Sequence, residues 1–417
     1  VIIDNKDLVN LDGLYSLKTI GGNLEFHNYD GSTMEGLNNL VNIKGDFKPI
    51  NLETKNQLTS FEGLTNLANI EGSFIIEGIN SQTQFLKNFK GLDKLSSIGK
   101  DFILKGIGYQ SFQRLESFEG LSNLSRIGGT FKIDGFDYSD SFKSLTSFKG
   151  LEKLSTINGD LYIRADGPNA DTKDEVGSFG ALSSFEGLNN LTEIKGNFHI
   201  QGLGYNSFNS LSSFEGLENL TQIDSSLIIK STFNSFQGLT SFSGLNKLST
   251  IGKDLHIHSD KSLNSLSSFE GLNNLSAIYG DLIIEAKSNA SPASSYIYNA
   301  LNSLSSFSGL NNLTHIYGDF RIHAEYTAEH SKYREIVLNS LVDFNGLESL
   351  NSIGGNFEIK SHAALNSLQS FKGLTNLKSI NGCFLLRAEA LTFQTSLKSL
   401  QSFEGLENLS TIGKDFH

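Results

Sequence analysis

The chain has 417 residues and a net charge of −12 spread along its length, which argues against nucleic acid or an anionic membrane surface as a partner, since both attract basic patches. One cysteine, Cys383, excludes internal disulfides and any cysteine-built metal centre. Three prolines, no tryptophan, 41 glycines and 31 phenylalanines suit short strands joined by tight turns, and no apolar run is long enough to span a membrane as a helix.

The first residues, "VIIDN", read as the strand end of a coil whose first half is missing. From there the chain repeats one pattern, F-x-G-L-x-x-L-x-x-I-x-G-x-[FL]-x-I, in fourteen copies whose first glycines run from Gly13 to Gly405 at spacings of 23 to 38 residues. A fixed motif at this period predicts a solenoid in which each repeat is one coil stacked on the last. Within a copy, "FEGLNNLSAI" places Leu272, Leu275 and Ile278 three apart, as in an irregular or 3₁₀-like arc. The "DLII" that follows alternates, as in a strand with one buried face. The same slot in every coil would pair in register into a parallel sheet.

Repeated small and polar residues read as part of the wall. The first glycine demands either positive φ or close contact with a neighbouring coil. A second, such as Gly280, Gly318 or Gly355, is expected to make the corner before the strand. Serine precedes the phenylalanine in ten copies, including Ser117 and Ser268, and its stacked hydroxyls are expected to bond to each other or to free backbone groups as a structural ladder. The second residue of the "NN" pair is asparagine in nine, including Asn190 and Asn274, and suits left-handed backbone or turn-bridging bonds. Six N-x-[ST] sequons come from this repeat and a seventh stands at Asn289.

"LDGLYSLKTIGGNLEF" (Leu11 to Phe26) and "FNGLESLNSIGGNFEI" (Phe344 to Ile359) resemble the receptor L-domain family, leucine-rich-repeat-like right-handed β-helices of receptor ectodomains and of fungal and bacterial surface proteins. The likeness covers essentially the whole chain, without the cysteine-rich modules that interleave the receptor domains. It implies an all-β, right-handed parallel β-solenoid and an extracellular or cell-surface role, and it brings no hormone site or catalytic residue with it.

Function is expected where coils differ. Three linkers after the strand are long: Arg164 to Ser184, Glu285 to Ser306 and His323 to Asp343. The first carries Asp166, Asn169, Asp171, Asp174 and Glu175, a weak calcium candidate whose order does not match a twelve-residue calcium loop. The other two leave adjacent coils and offer Tyr296, Tyr298, Tyr326, His330, Tyr333 and Arg334, with Tyr279 and Tyr317 in equivalent turns. These residue types dominate binding hot spots, so the set is the candidate contact surface for a partner or a glycan. The outward mid-strand position is aliphatic at Ile75, Ile103, Ile228, Ile283 and Leu385, a candidate lateral contact face. His256 and His258 share a strand face, but the sequence offers no evident third metal ligand.

These features lead to the expectation of one continuous solenoid over residues 1–417, a segment of a longer array or a unit stacking end to end. Its expected role is a non-enzymatic extracellular scaffold, adhesin stalk or fibre subunit with protein partners, copies of itself among them, and no cofactor. The alternatives are a receptor-like ectodomain binding a glycan or peptide, and a polysaccharide-active enzyme, which would need carboxylates and basic residues gathered on one sheet face. No phosphate loop, nucleophile motif or H-E-x-x-H supports other chemistry.

Overall fold

A computed structural model describes residues 1–5, 7–27, 29, 31–50, 58–79, 83–107, 110–136, 141–166, 177–288, 299–327, 336–390 and 395–417. It comprises two compact units, residues 1–211 with 215–220, and residues 212–214 with 221–417. Both are all-β parallel solenoids, and among the described residues there is no α-helix. Among the described residues the first unit has eight long strands, from Ile2–Asp4 to Phe198–Gly202, and the second has six, from Leu227–Thr232 to Phe384–Glu389. Seven two-residue strands in each unit form a second parallel sheet, so each of the fourteen repeats is one coil.

The register follows the motif without slippage through most of the coils. Leu282 pairs with Phe320, Ile284 with Ile322 and Ala286 with Ala324. Buried and half-exposed residues alternate along Leu282–Ser288 and Phe320–Tyr326, as expected of a sheet with one face on the core. The arc before each strand is two successive tight turns: Leu272 N–H donates to the Phe269 carbonyl at 3.0 Å and Leu275 N–H to that of Leu272 at 2.9 Å. Their i→i+3 spacing turns the leucines inward, where Leu272, Leu275 and Ile278 are fully buried.

Both explanations for the first glycine hold at once. All fourteen sit at φ between 97° and 107°, and in Gly271 an added Cβ would overlap the carbonyl of Phe242 in the preceding coil. That approach sets the stacking distance of the aromatic columns. In the first unit Phe61, Phe89, Phe118, Phe148 and Phe185 stack nearly parallel, with centroids 5.4–5.7 Å apart. In the second unit Phe214, Phe242, Phe269, Phe307, Phe344 and Phe371 do the same at 5.4–5.6 Å. The strand-borne rings meet these columns edge-on, as Phe131 meets Phe118 at 5.8 Å. Burying each ring stabilises by roughly 2–3 kcal/mol, and each stacked pair adds about 0.5–1.5 kcal/mol.

The repeated small and polar positions hold the wall in three different ways. The second glycine stands in the bend before the strand, as expected, without entering the left-handed region; a Cβ on Gly280 would overlap the Lys253 backbone and the carboxylate of Asp254 in the preceding coil. That carboxylate belongs to an acceptor ladder: Asp254 Oδ1 receives Asp281 N–H at 2.8 Å, Asp281 Oδ1 receives Asp319 N–H at 2.7 Å, and Asp319 Oδ1 receives Asn356 N–H at 2.6 Å. Serines before phenylalanine accept within their own coil, as Ser268 does from Glu270 N–H at 3.4 Å. The nine asparagines keep ordinary φ and donate to a carbonyl one coil back, at 2.6 Å for Asn274 to Asn246 and 2.7 Å for Asn312 to Asn273.

Among the described residues, ten linkers end in a third corner that the motif did not include. Phe112, Phe142, Phe179 and Phe208 in the first unit, and Phe236 then Leu263, Leu301, Leu338, Leu365 and Leu397 in the second, are buried at φ between 49° and 57°. A bulky residue in this region is strained unless its surroundings fix it. Here each is seated by burial and by coil-to-coil bonds such as Leu338 N–H to the Ala300 carbonyl at 3.0 Å.

The two roles of the first glycine separate by mutation. Gly13 has φ of 97° but nothing within 4 Å of an added Cβ. Gly13→Ala should therefore cost only the left-handed penalty, about 1–2 kcal/mol, whereas Gly271→Ala should cost about 3 kcal/mol or more because backbone must move. Urea-unfolding midpoints measure both, and equal losses would show that coil contact is not the dominant constraint.

Candidate contact surface

The tyrosine surface contracts in the structure. Tyr279 and Tyr317 are 54% and 53% exposed, and their rings stack with centroids 5.0 Å apart and 4° between planes. Each follows a short strand, so the register of Ile251, Ile278, Ile316 and Ile353 places Gly252 and Gly354 at the equivalent positions of the flanking coils. With no side chain at Gly252, the outer face of Tyr279 is left open. His315 lies against Tyr317, with centroids 5.8 Å apart.

Tyr326, by contrast, is fully buried as the last inward residue of its strand and cannot contact a partner, which corrects its place in the set. Tyr296, Tyr298, His330, Tyr333 and Arg334 lie outside the described residues. Their linkers leave the far ends of Leu282–Ser288 and Phe320–Tyr326, about 20 Å of strand away from the turns that hold Tyr279 and Tyr317.

The aliphatic mid-strand positions are half-buried and are not gathered into one patch. Ile75 pairs with Ile103 in register, but Ile228 and Ile283 are separated by His256, and Ile283 and Leu385 by Arg321 and Glu358. Of the calcium candidates, Asp166 is described and its Oδ2 accepts from Arg164 Nη2 at 2.8 Å; Asn169, Asp171, Asp174 and Glu175 lie outside the described residues.

The outward face of the second unit instead carries a polar network that single repeats do not reveal. Arg321 bonds Asp281 Oδ2 at 2.9 Å and also Asp319, with Glu358 Oε2 3.9 Å from its Nε. Glu358, 7% exposed, also takes Lys360 on Oε1 and stands 3.2 Å from His323 Nε2. Burial alone would raise the Glu358 carboxyl, but Lys360 and His323 outweigh it and hold the group below its ordinary value.

One coil earlier, His258 faces Glu285 in register. Glu285 Oε2 is 2.7 Å from His258 Nδ1 and 3.5 Å from His256 Nε2, so a third group does stand beside the two imidazoles, contrary to the expectation from sequence. The two imidazoles hold its carboxyl far below the usual carboxylate range. The signal was present in the alignment of repeats, since His258 and Glu285 fill the same slot of consecutive copies. An adjoining cleft of about 390 Å³ is lined by Lys287, Lys360 and Arg387 facing Glu325 and Glu389, a mixture that favours neither sign of ligand. Comparison with protein-family models, with curated proteins and with solved structures finds no match.

The network makes stability depend on pH in a defined direction. A carboxyl held low in the folded state contributes stability above its ordinary value near 4.5, and that contribution fades as pH falls through the folded value. Glu358→Gln should lower stability at pH 7 by about 1–2 kcal/mol. The gap to the unsubstituted protein should narrow below pH 4.5, measured by urea unfolding across that range; a constant gap would show that Glu358 acts by packing alone.

Proposed function

We propose that the chain is a non-enzymatic repeat scaffold of the cell surface or extracellular space, an adhesin stalk or fibre subunit of receptor L-domain-like character. The observation that carries this reading is the uniformity of the coils. Phenylalanine, glycine, leucine and isoleucine recur inside them, and the groups that differ lie on outer faces and linkers. The carboxylates and basic residues that a polysaccharide-cleaving site would need are gathered on one face, around Arg321. Asp281 and Asp319 each spend one oxygen on a backbone N–H and the other on Arg321, and Glu358 is held by Lys360 and His323. Carboxylates so committed serve as structural ties rather than as an acid and base. The decisive experiment is antibody labelling of intact source cells: label on unpermeabilised cells supports the scaffold, and label that appears only after permeabilisation overturns it.

A receptor-like capture of glycan is the second reading, and Tyr279 favours it. An exposed ring with an open face beside a glycine slot is a stacking platform for a sugar, with the Tyr317 hydroxyl one coil away. On a glycan array, Tyr279→Ala should reduce any hit by about tenfold, and hits indifferent to both Tyr279→Ala and Tyr317→Ala would remove this surface from consideration.

A further inference from the structure

We propose that His256, His258 and Glu285 form a binding site for a divalent first-row transition metal, represented by zinc, on the outward face of the second unit's long-strand sheet. The three side chains are half-buried, and their ligand atoms lie within 4.8 Å of one another. They are held by two adjacent strands, Leu255–Asp260 and Leu282–Ser288, whose register fixes His258 opposite Glu285. The two histidines are two residues apart on one strand, so the pleat turns both to the same face.

A hydrogen-bonded ion pair accounts for only part of this arrangement. His258 Nδ1 has Glu285 Oε2 at 2.7 Å, whereas His256 Nε2, enclosed as well, reaches that same oxygen only at 3.5 Å, too long for a good hydrogen bond. His323 Nε2 is enclosed in the same way beside Glu358, but among the described residues His256, His258 and Glu285 are where three ligand atoms from three side chains converge, which leaves room for an ion or water between them. Tetrahedral zinc places ligands about 2.0–2.2 Å from the metal and so about 3.3–3.5 Å from one another. The spacing from His256 to Glu285 already meets this, and that from His258 to Glu285 need open only about 0.6 Å once the metal replaces the shared proton. Two imidazoles and a carboxylate select zinc, copper, nickel or cobalt over magnesium and calcium, which prefer all-oxygen sets. Three protein ligands leave a fourth position for water or for a group from a partner. In the register the site is flanked by Ile228 and Ile283 along the row of His256, and by Lys230 and His323 along the row of His258 and Glu285.

The test is calorimetric titration of the chelator-treated full chain with zinc, alongside visible absorption after cobalt addition. The expected result is one ion per chain at micromolar affinity or tighter, with the intense d–d bands of a tetrahedral cobalt site. Glu285→Gln, nearly isosteric, and His258→Ala should each weaken zinc binding about tenfold or more. His199→Ala and His315→Ala should leave it unchanged, with circular dichroism checking that every variant is folded. Absence of saturable zinc binding, or full affinity retained in the His256→Ala, His258→Ala double variant, would overturn the proposal.

Discussion

Each coil can rest on the one before it only where a backbone carbonyl is approached closely enough to exclude a side chain, and that happens at the glycine between phenylalanine and leucine. Its φ near +100° turns the chain so that two tight turns follow, which aim two leucines at the axis. The same seat brings successive phenylalanines to ring-stacking distance and sets the strands in register. Aromatic columns, parallel sheets and the aspartate ladder are thus several results of one contact repeated in each unit.

The polar ladders show how a solenoid satisfies backbone groups outside its sheets. Asparagine side chains reach back to carbonyls, aspartate side chains receive N–H groups at the corner, and serines close local turns. Each device is satisfied by a partner in its own coil or an adjoining one. The polar network on the outer face is built by the same rule of adjacency, which is why Arg321 collects carboxylates from its own and neighbouring strands.

Much of this was legible in the sequence because it repeats. The strand and arc of each copy, the inward leucines and the parallel pairing follow from the spacing of Leu272, Leu275, Ile278 and Leu282 alone. The third corner was not legible, because linkers of unequal length hide its phase and a phenylalanine at positive φ contradicts local preference; Phe142 is held there by burial against Phe112 and Phe179. Glu285 escaped for another reason. It stands 27 residues from His258, and only the register of two strands makes them neighbours. Tyr326 failed in the opposite direction, since a tyrosine near a long linker looked exposed until strand parity turned it inward.

The asparagine ladder bears on how such a protein can be decorated. Asn123, Asn190, Asn219, Asn274, Asn312 and Asn408 all carry the acceptor sequence for N-linked sugar, yet each commits its Nδ2 to a neighbouring carbonyl at 2.5–2.7 Å. Attaching a sugar replaces a hydrogen of that amide nitrogen with a bulky group, which has to displace the bond to the neighbouring carbonyl. Folded coils therefore withhold these six sites from modification, and any sugar on them has to be added before the chain closes into its solenoid.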